Sequence, residues 1–433
     1  MRLPRLGNIF YGWWVVVAGT LIMTLHSGVY FFGFGAFFTP LIDEFGWGRA
    51  ALSGAFSLSK LEGGFLSPVA GVIVDRWGAR VLFMGSFGMM GLGFILLSRV
   101  DSILTFYLVY GICFGLGGGF GMGVIVSSSV NNWFARRRSL ALGIAHSGVG
   151  AGGFGASLLA WLIVQVGWRQ AAVVAGIAVM TLGIPLSMLV RHKPEKYGLL
   201  RDGDLPSDTA TGREADHASK GRGRHASPDD GNEIDYTAGQ ALRSGAFWLL
   251  TTSFNLRQFV TSAMAAHLIP YLVGAGYSLT TAATLLGFMA ASSTIGRLGS
   301  GWVGDRMDKR YAMAGCLGLL CVGVIGSLVT HSLWAVGVAM FLYGVAYGGT
   351  TPLGPSLIGE YFGRKSFATI LGLTYSAALV GTIGGPLVTG YIFDVTGSYT
   401  WAFGLFIAIC LAAVASVLTL RHATHRPPIP APA

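Results

Sequence analysis

Long apolar segments alternate with short polar ones along the chain. Twelve apolar stretches of roughly 19–28 residues can be counted, and each can cross the ~30 Å hydrocarbon core of a bilayer as a tilted helix. They lie near residues 12–38, 48–74, 80–98, 103–129, 139–166 and 168–190, and again near 245–273, 280–303, 311–330, 333–360, 366–393 and 399–420. Adding 230 to the first six ranges reproduces the last six within a few residues. The pattern predicts an all-α polytopic membrane protein with twelve transmembrane helices in two six-helix, pseudo-symmetric halves.

A polar stretch separates the two halves. It is rich in Arg, Asp, Gly, Ser and Pro and has almost nothing apolar to bury, which predicts a solvated, disordered linker on the cytoplasmic side. The chain ends in a proline-rich segment, for which we expect a flexible cytoplasmic tail. The predicted units are an N-terminal bundle over 1–190, the linker over 191–244, a C-terminal bundle over 245–421 and the tail over 422–433.

One short pattern occurs twice, after the second and after the eighth apolar stretch. Gly71, Asp75, Arg76 and Arg80 recur 230 positions later as Gly301, Asp305, Arg306 and Arg310. Such duplication within a membrane chain is the architecture of a transporter. The aspartates can pair with basic groups or with a neighbouring helix end, so we assign the six charged residues to gating between conformational states. The alternative is that these loops only set the topology.

The distribution of charge fixes a predicted orientation. Charged residues make up 11% of the chain, against roughly 25% in soluble domains. The chain therefore has too few charged side chains to cover the surface of a water-soluble protein. Of 29 Lys and Arg residues, 23 lie in the termini, the linker and the loops after helices 2, 4, 8 and 10, whereas three lie in the opposite loops. This bias places both termini in the cytoplasm of a plasma membrane, most simply a bacterial inner membrane. It also explains the net charge of +10 without nucleic acid.

Enzyme chemistry finds no support in the sequence. The four cysteines lie in apolar runs without metal-ligand spacing, which indicates buried thiols. The run of glycines at 117–119 lacks the strand and the lysine of a phosphate-binding loop. We therefore predict no catalytic residues, no metal and no cofactor, and expect ion or substrate gradients to supply energy.

The duplicated loop resembles the signature loop of the major facilitator superfamily, and the resemblance covers nearly the whole chain. It implies that helices 1, 4, 7 and 10 line a central cavity. Local patterns are similar to the branch of monocarboxylate transporters and oxalate–formate antiporters. These patterns are Gly12-Trp13-Trp14, Phe45-Gly46-Trp47, His267-Leu268-Ile269-Pro270 and Gly296-Arg297.

Three positions depart from that branch. The acid that animal monocarboxylate transporters carry one turn before the helix-8 arginine is Ser293 here, and their helix-1 lysine corresponds approximately to Phe32. A proton relay of the animal type is therefore not expected. Helix 11 has no cation beyond Lys365 at its cytoplasmic edge, which favours a singly charged substrate over a dianion.

Arg297 is the leading candidate for a substrate anchor. It lies eight residues before Asp305, roughly 12 Å inside the helix end at ~1.5 Å per residue. A buried guanidinium must meet a carboxylate or carbonyl groups, and its planar fork suits a carboxylate well. The partner is either the substrate or a group of the protein.

Two further charges lie deep in the predicted bilayer. Arg257 either supplies positive potential to the central cavity or pairs with Glu62. Glu62, thirteen residues before Asp75, is a candidate for the carried proton because burial disfavours its charged form. A permanent salt bridge from Glu62 to Arg257 or Lys60 is the alternative.

Other polar residues complete the candidate site. His267, near the predicted outer mouth, either relays a proton, contacts substrate or serves as a hydrogen-bonded packing residue. His146 and Tyr375 are 229 positions apart and so occupy nearly equivalent places in the two halves. The remaining candidates, each of which either binds substrate or packs, are His26, Asn255, Tyr343 and Tyr347.

These patterns predict a monomeric secondary active transporter of a lactate- or pyruvate-like monocarboxylate, working by alternating access. Importing an anion against an interior-negative potential costs about 2.3 kcal/mol per charge per 100 mV, and proton symport removes that cost. The alternatives are carboxylate exchange without a proton, export of a drug-like compound and, in a different class, a non-transporting membrane sensor.

Overall fold

Twelve long helical segments follow the apolar stretches of the sequence. A computed structural model describes residues 10–119, 121–203, 235–329 and 332–420, and all regular secondary structure in these ranges is helical. The segments are numbered in chain order: Tyr11–Phe45 (α1), Arg49–Trp77 (α2), Ala79–Leu97 (α3), Ile103–Trp133 (α4), Arg138–Val166 (α5), Trp168–Leu189 (α6), Gly245–Gly274 (α7), Leu279–Gly304 (α8), Lys309–Val329 (α9), Leu333–Phe362 (α10), Phe367–Thr396 (α11) and Thr400–Leu418 (α12).

Ten of the segments are long and apolar enough to cross a membrane. The other two are α2 and α7, which have 29 and 30 residues but carry charged side chains such as Glu62 and Arg257 in their interiors. The predicted all-α membrane fold is confirmed, and the predicted count of twelve rests for these two helices on length rather than hydropathy.

Serine side chains fix where four of the helices begin. Ser102, Ser244, Ser278 and Ser332 precede α4, α7, α8 and α10, and each accepts a hydrogen bond from the backbone N–H three residues later. Such caps satisfy donors that the first helical turn leaves unpaired.

Three helices contain breaks in their hydrogen-bond pattern. A π-helical turn occupies Ser27–Phe32 in α1, and another occupies Tyr110–Gly115 in α4. Helix α11 is interrupted at Ala378. Single π-helical turns inside α-helices are frequent at functional sites.

The two halves pack against each other at one end of the bundle, which we call the loop end because it carries Asp75 and Asp305. There α2 packs on α11, and α5 packs on α8. One apolar core joins the first half to Leu353 and Leu357 of α10 at this end, whereas a second core is confined to the second half.

Glycine lets the backbones of the two halves approach closely. A Cβ atom at Gly301 would lie 2.7 Å from the carbonyl oxygen of Ser139 and 3.1 Å from the Cα atom of Leu140. At Gly71 the equivalent atom would overlap the backbone of Ala368 in α11. The duplicated glycines therefore serve as contact points between helices, as small residues do in membrane bundles.

We expect Gly301→Val to separate α5 from α8. Overpacking costs about 1–3 kcal/mol in a well-packed core, and a backbone neighbour cannot move aside as a side chain can. Thermal unfolding in detergent should therefore begin at a lower temperature. Gly299→Val on the same helix is the matched control, since nothing lies within 4 Å of that position; equal destabilisation by both variants would contradict the contact.

Parts of the predicted linker are described. Residues 191–203 contain the short helical turns Pro194–Tyr197 and Arg201–Gly203, and residues 235–244 contain the helix Ala238–Leu242. The middle of the linker, 204–234, and the predicted tail, 422–433, lie outside the described residues.

Candidate functional site

Arg297 lies where the two halves meet. Its side chain is 4% exposed, and its Nη1 donates a hydrogen bond of 2.8 Å to the Ser293 hydroxyl one turn earlier on α8. A Cβ atom at Gly150 of α5 would lie 3.8 Å from the same Nη1. The buried Nε has no hydrogen-bond partner among the described residues. The guanidinium therefore keeps donors available at the interface between α5 and α8.

Arg257 brings a second guanidinium to the same region. Its Nη1 donates to the Thr350 hydroxyl of α10 at 2.9 Å, and its Nη2 donates to the Gln258 side chain at 2.7 Å. Its Nε is also buried without a partner in the described structure. Arg257 and Arg297 lie within electrostatic reach of each other, and no ion pair among the described residues involves either of them. This part of the bundle is therefore electropositive.

His146 and Tyr375, which occupy nearly equivalent places in the two halves, both lie beside Gly123 of α4. A Cβ atom at Gly123 would lie 3.7 Å from the His146 ring and 3.8 Å from the Tyr375 ring. His146 Nε2 is 3.0 Å from the Ser127 hydroxyl, and the imidazole lies within electrostatic reach of Arg297. These two rings thus belong to the wall next to the arginines.

The two tyrosines of α10 have different surroundings. Tyr347 is half-buried and lies within electrostatic reach of Arg297. Tyr343 is 1% exposed, and its side chain packs against Gly323 of α9 inside the second apolar core. Its hydroxyl is buried without a hydrogen-bond partner among the described residues. Of the two tyrosines, Tyr347 is therefore the one that lies near Arg297.

Two other candidates, Asn255 and His267, make contacts between helices, and a third, His26, contacts a residue of its own helix. Asn255 donates from Nδ2 to the carbonyl of Ala377 at 2.8 Å, directly before the break in α11. His267 bonds the carbonyl of Pro386 through Nε2 at 3.0 Å and the Tyr399 hydroxyl through Nδ1 at 3.2 Å. His26 lies against Tyr30 within the first half, with ring centroids 5.2 Å apart.

Glu62 lies against α4 rather than against a cation. Its carboxylate contacts the backbone at Gly115 and lies beside Gly111. The salt bridge to Arg257 that the sequence allows is not among the ion pairs of the described residues. The side chain of Lys60 lies outside the described residues.

The duplicated aspartates bind helix beginnings in the opposite half. Asp75 accepts hydrogen bonds from the backbone N–H groups of Ala368 and Thr369 at 3.2 and 2.9 Å, and from the Thr369 hydroxyl at 2.6 Å. Asp305 accepts from the N–H groups of Ser139 and Leu140 at 2.7 and 2.9 Å. A carboxylate is favourable at a helix N-terminus, because the unpaired N–H groups and the helix dipole are both positive there. Of the two predicted partners, the helix end is the one observed.

The duplicated arginines stay within their own halves. Arg80 donates to the carbonyl of Met188 at 2.6 Å, and Arg310 forms an ion pair with Asp308 at 2.6 Å. Arg306 stacks on Trp302 with its guanidinium carbon 3.8 Å from the ring centroid, and Arg76 is exposed. These side chains border the loop end, and none of their contacts within the described residues bridges the halves.

Two linker carboxylates that the sequence did not single out bind the adjacent loops. Asp202 accepts from the N–H groups of Ala135 and Arg136 at 2.9 and 3.0 Å. Asp235 accepts from those of Arg364 and Lys365 at 2.8 and 2.9 Å. A further ion pair of 2.5 Å joins Glu195, after α6, to Arg364 in the second half. Burial at this end lowers the pKa of His192 to about 4, so that ring adds no charge near neutral pH.

The fold and the site together define a class: a multi-pass helical membrane transporter with an electropositive centre between two similar halves. Residues 20–329 and 295–433 match the family model of the Major Facilitator Superfamily. The chain belongs to the Major Facilitator Superfamily, whose members are transporters and not enzymes.

Named relatives confirm the resemblance to the monocarboxylate and oxalate–formate branch. Monocarboxylate transporter 13 of Bos taurus is 29% identical over 415 residues, covering 95% of this chain and 90% of that protein. The oxalate:formate antiporter of Oxalobacter formigenes is 26% identical over 415 residues, covering 92% and 90%. The crystal structure of the human organic anion transporter MFSD10 superposes with a TM-score of 0.69 at 15% identity, covering 94% of this chain and 99% of that one.

Proposed function

We propose that this chain is a secondary active transporter of a small organic monocarboxylate, lactate- or pyruvate-like. The observation that carries the proposal is Arg297, a buried guanidinium with an unpaired Nε at the interface of the halves. A buried arginine stays charged and requires an anionic or carbonyl partner. In the described structure the nearest bonded group is the neutral Ser293 hydroxyl, so a substrate carboxylate completes the arrangement.

Arg257 and Tyr347 define the rest of the proposed site. Arg257 adds positive potential, because no carboxylate among the described residues neutralises it. The Tyr347 hydroxyl offers a hydrogen bond to the carboxylate or to a neighbouring oxygen of the substrate. His146 and Tyr375 limit the space beside α4, which favours a small substrate.

The proposed orientation follows from the bias of Lys and Arg, which makes the loop end cytoplasmic. The described state then has its cytoplasmic end closed, because α2–α11 and α5–α8 pack there, and substrate enters from outside. Release to the inside requires that Asp75 and Asp305 leave the helix beginnings of the opposite half. We therefore assign the duplicated loops to gating in an alternating-access cycle.

Proton symport is the proposed coupling. One carboxylate with one proton crosses without net charge, which removes the cost of about 2.3 kcal/mol per 100 mV for an inward-moving anion. Carboxylate exchange is the second candidate. It is favoured by the electropositive pair Arg257 and Arg297, which would retain an anion until another replaces it.

Uptake into proteoliposomes tests the proposal. We expect labelled lactate or pyruvate to accumulate when the outside is acidic, and to exchange with internal unlabelled substrate at equal pH. Exchange with no effect of the pH gradient would favour the antiporter. Movement of amphipathic cations but not of monocarboxylates would favour the drug exporter. Absence of all transport, with specific ligand binding retained, would indicate a sensor.

A further inference from the structure

The carboxylate of Glu62 occupies a gap that glycine creates in α4. Its Oε2 contacts the backbone at Gly115, where an added methyl group would overlap that oxygen. An added methyl group at Gly111 would stand at an ordinary distance of 3.5 Å from Oε1. Both glycines belong to the π-helical turn Tyr110–Gly115, and such turns are frequent at functional sites. The absence of a side chain at Gly115 therefore leaves the space that the Glu62 carboxylate occupies.

The described groups that face Glu62 are neutral, and the side chain of Lys60 is not among them. Tyr30 of α1 lies within electrostatic reach of the carboxylate, and its hydroxyl is 3.0 Å from the Ser59 hydroxyl. Ser59 lies one turn before Glu62 on the same face of α2. Tyr110 of α4 lies next to this hydroxyl pair. No basic group among the described side chains faces Glu62, so nothing described there compensates a negative charge.

The histidines already have other partners. Nε2 of His267 donates to the Pro386 carbonyl, and Nδ1 is engaged by the Tyr399 hydroxyl, so this ring links α7 to α11 and α12. His146 is held by Ser127 and lies close to the positive charge of Arg297, which opposes a second positive charge. Glu62 is free of both constraints.

We propose that Glu62, Gly115 and the Tyr30–Ser59 hydroxyl pair form the proton-binding site of this carrier, separate from the anion site at Arg297. The inference rests on the proposed proton-coupled function, and it assigns a binding site to the proton, the second ligand of the carrier. The carboxylate takes one proton from the outer solution and becomes a neutral acid. The transported anion is held in the second half, so each half binds one member of the cotransported pair. Gly115 and Tyr30 are positioning residues, and Glu62 holds the proton.

Transport by Glu62→Gln tests the assignment. For a symporter that moves one proton per anion, an inward gradient of one pH unit raises the accumulation of lactate about tenfold. We expect this gain in the wild type and none in the variant, while exchange of lactate at equal pH stays within about twofold of the wild type. A full response to the pH gradient in Glu62→Gln would overturn the proposal.

Gly115→Ala and Gly111→Ala form a matched pair on the same turn. The first should displace the carboxylate and reduce the response to the pH gradient, whereas the second should behave as the wild type. Equal effects of the two variants would contradict the role of Gly115. A response of the wild type to a sodium gradient, lost in Glu62→Gln, would replace the proton with a sodium ion.

An infrared measurement separates this assignment from the proposed function. Purified protein titrated from alkaline to acidic pH should gain the stretching band of a protonated carboxyl group, and Glu62→Gln should lack the part of that band that Glu62 contributes. The band does not depend on which substrate is transported. If the wild type transports no monocarboxylate but shows the Glu62 band, the proposed substrate is wrong and the proton site stands. Absence of a Glu62-dependent band overturns the proton site alone.

Discussion

Arg297→Lys should lose most of the affinity for a monocarboxylate substrate. Lysine keeps the positive charge but replaces the planar fork of donors with a single ammonium group. One charge-assisted hydrogen bond contributes about 1.5–3 kcal/mol, so the expected loss is roughly 10- to 150-fold in transport efficiency. The measurement is the concentration dependence of lactate uptake into proteoliposomes that contain equal amounts of folded protein.

Arg99→Lys is the control for that experiment, because Arg99 is exposed in a loop at the end opposite to Asp75. This variant should transport as the wild type does. Arg257→Lys should reduce uptake less than Arg297→Lys, since two nitrogens of Arg257 already donate hydrogen bonds to Thr350 and Gln258. If uptake is unchanged in Arg297→Lys, Arg297 does not bind substrate, and its role is structural, through its contact with Ser293.

Replacing both Asp75 and Asp305 with asparagine should open the loop end. Each substitution removes a charged acceptor at a helix N-terminus, where hydrogen bonds to charged groups contribute about 1.5–3 kcal/mol. The two aspartates act on separate helix pairs, so we expect their effects to add. Spin labels at Ala135 and Lys365, which are exposed in the loops of the two halves, should report a longer distance in the double variant.

Transport by the double variant should fall as well, because a carrier that favours one state completes the cycle slowly. Asp101→Asn offers a control, since this exposed carboxylate bonds only a nearby threonine hydroxyl in the described structure. The predicted gating role would be wrong if the labels reported the same distances in the wild type and in the double variant.

The helical layout follows from local information and was therefore predictable. Each apolar stretch needs only its own composition to be recognised, and each serine cap lies at the boundary that it marks. The breaks in α1 and α4 were not predicted, because a π-helical turn depends on how neighbouring helices pack. Gly111 and Gly115 give no local sign that they face Glu62.

The candidate site was predictable only in part for the same reason. Arg297 stands out because arginine is rare inside an apolar stretch. Asn255 and His267 look equally unusual in the sequence. In the structure, however, they form hydrogen bonds to the carbonyl groups of Ala377 and Pro386. These contacts depend on how α7 packs on α11 and α12, which the sequence does not reveal. Asp202 and Asp235 lie in polar sequence that resembles a featureless linker, and their partners are 66 and 129 positions away.

Carboxylates of two origins bind the regions where α5 and α11 begin. The linker supplies Asp202 and Asp235 to the loops, whereas the opposite half supplies Asp75 and Asp305 to the helix beginnings that follow. In the proposed cycle, separation of the halves must break the contacts of Asp75 and Asp305 and the ion pair of Glu195 with Arg364, whereas Asp202 and Asp235 can keep theirs. The loops would then keep their conformation, and their N–H groups their orientation, while the halves move apart. When the empty carrier closes again, Asp75 and Asp305 can bind the same helix beginnings without reordering of the loops. We therefore expect that this return step does not limit the turnover rate.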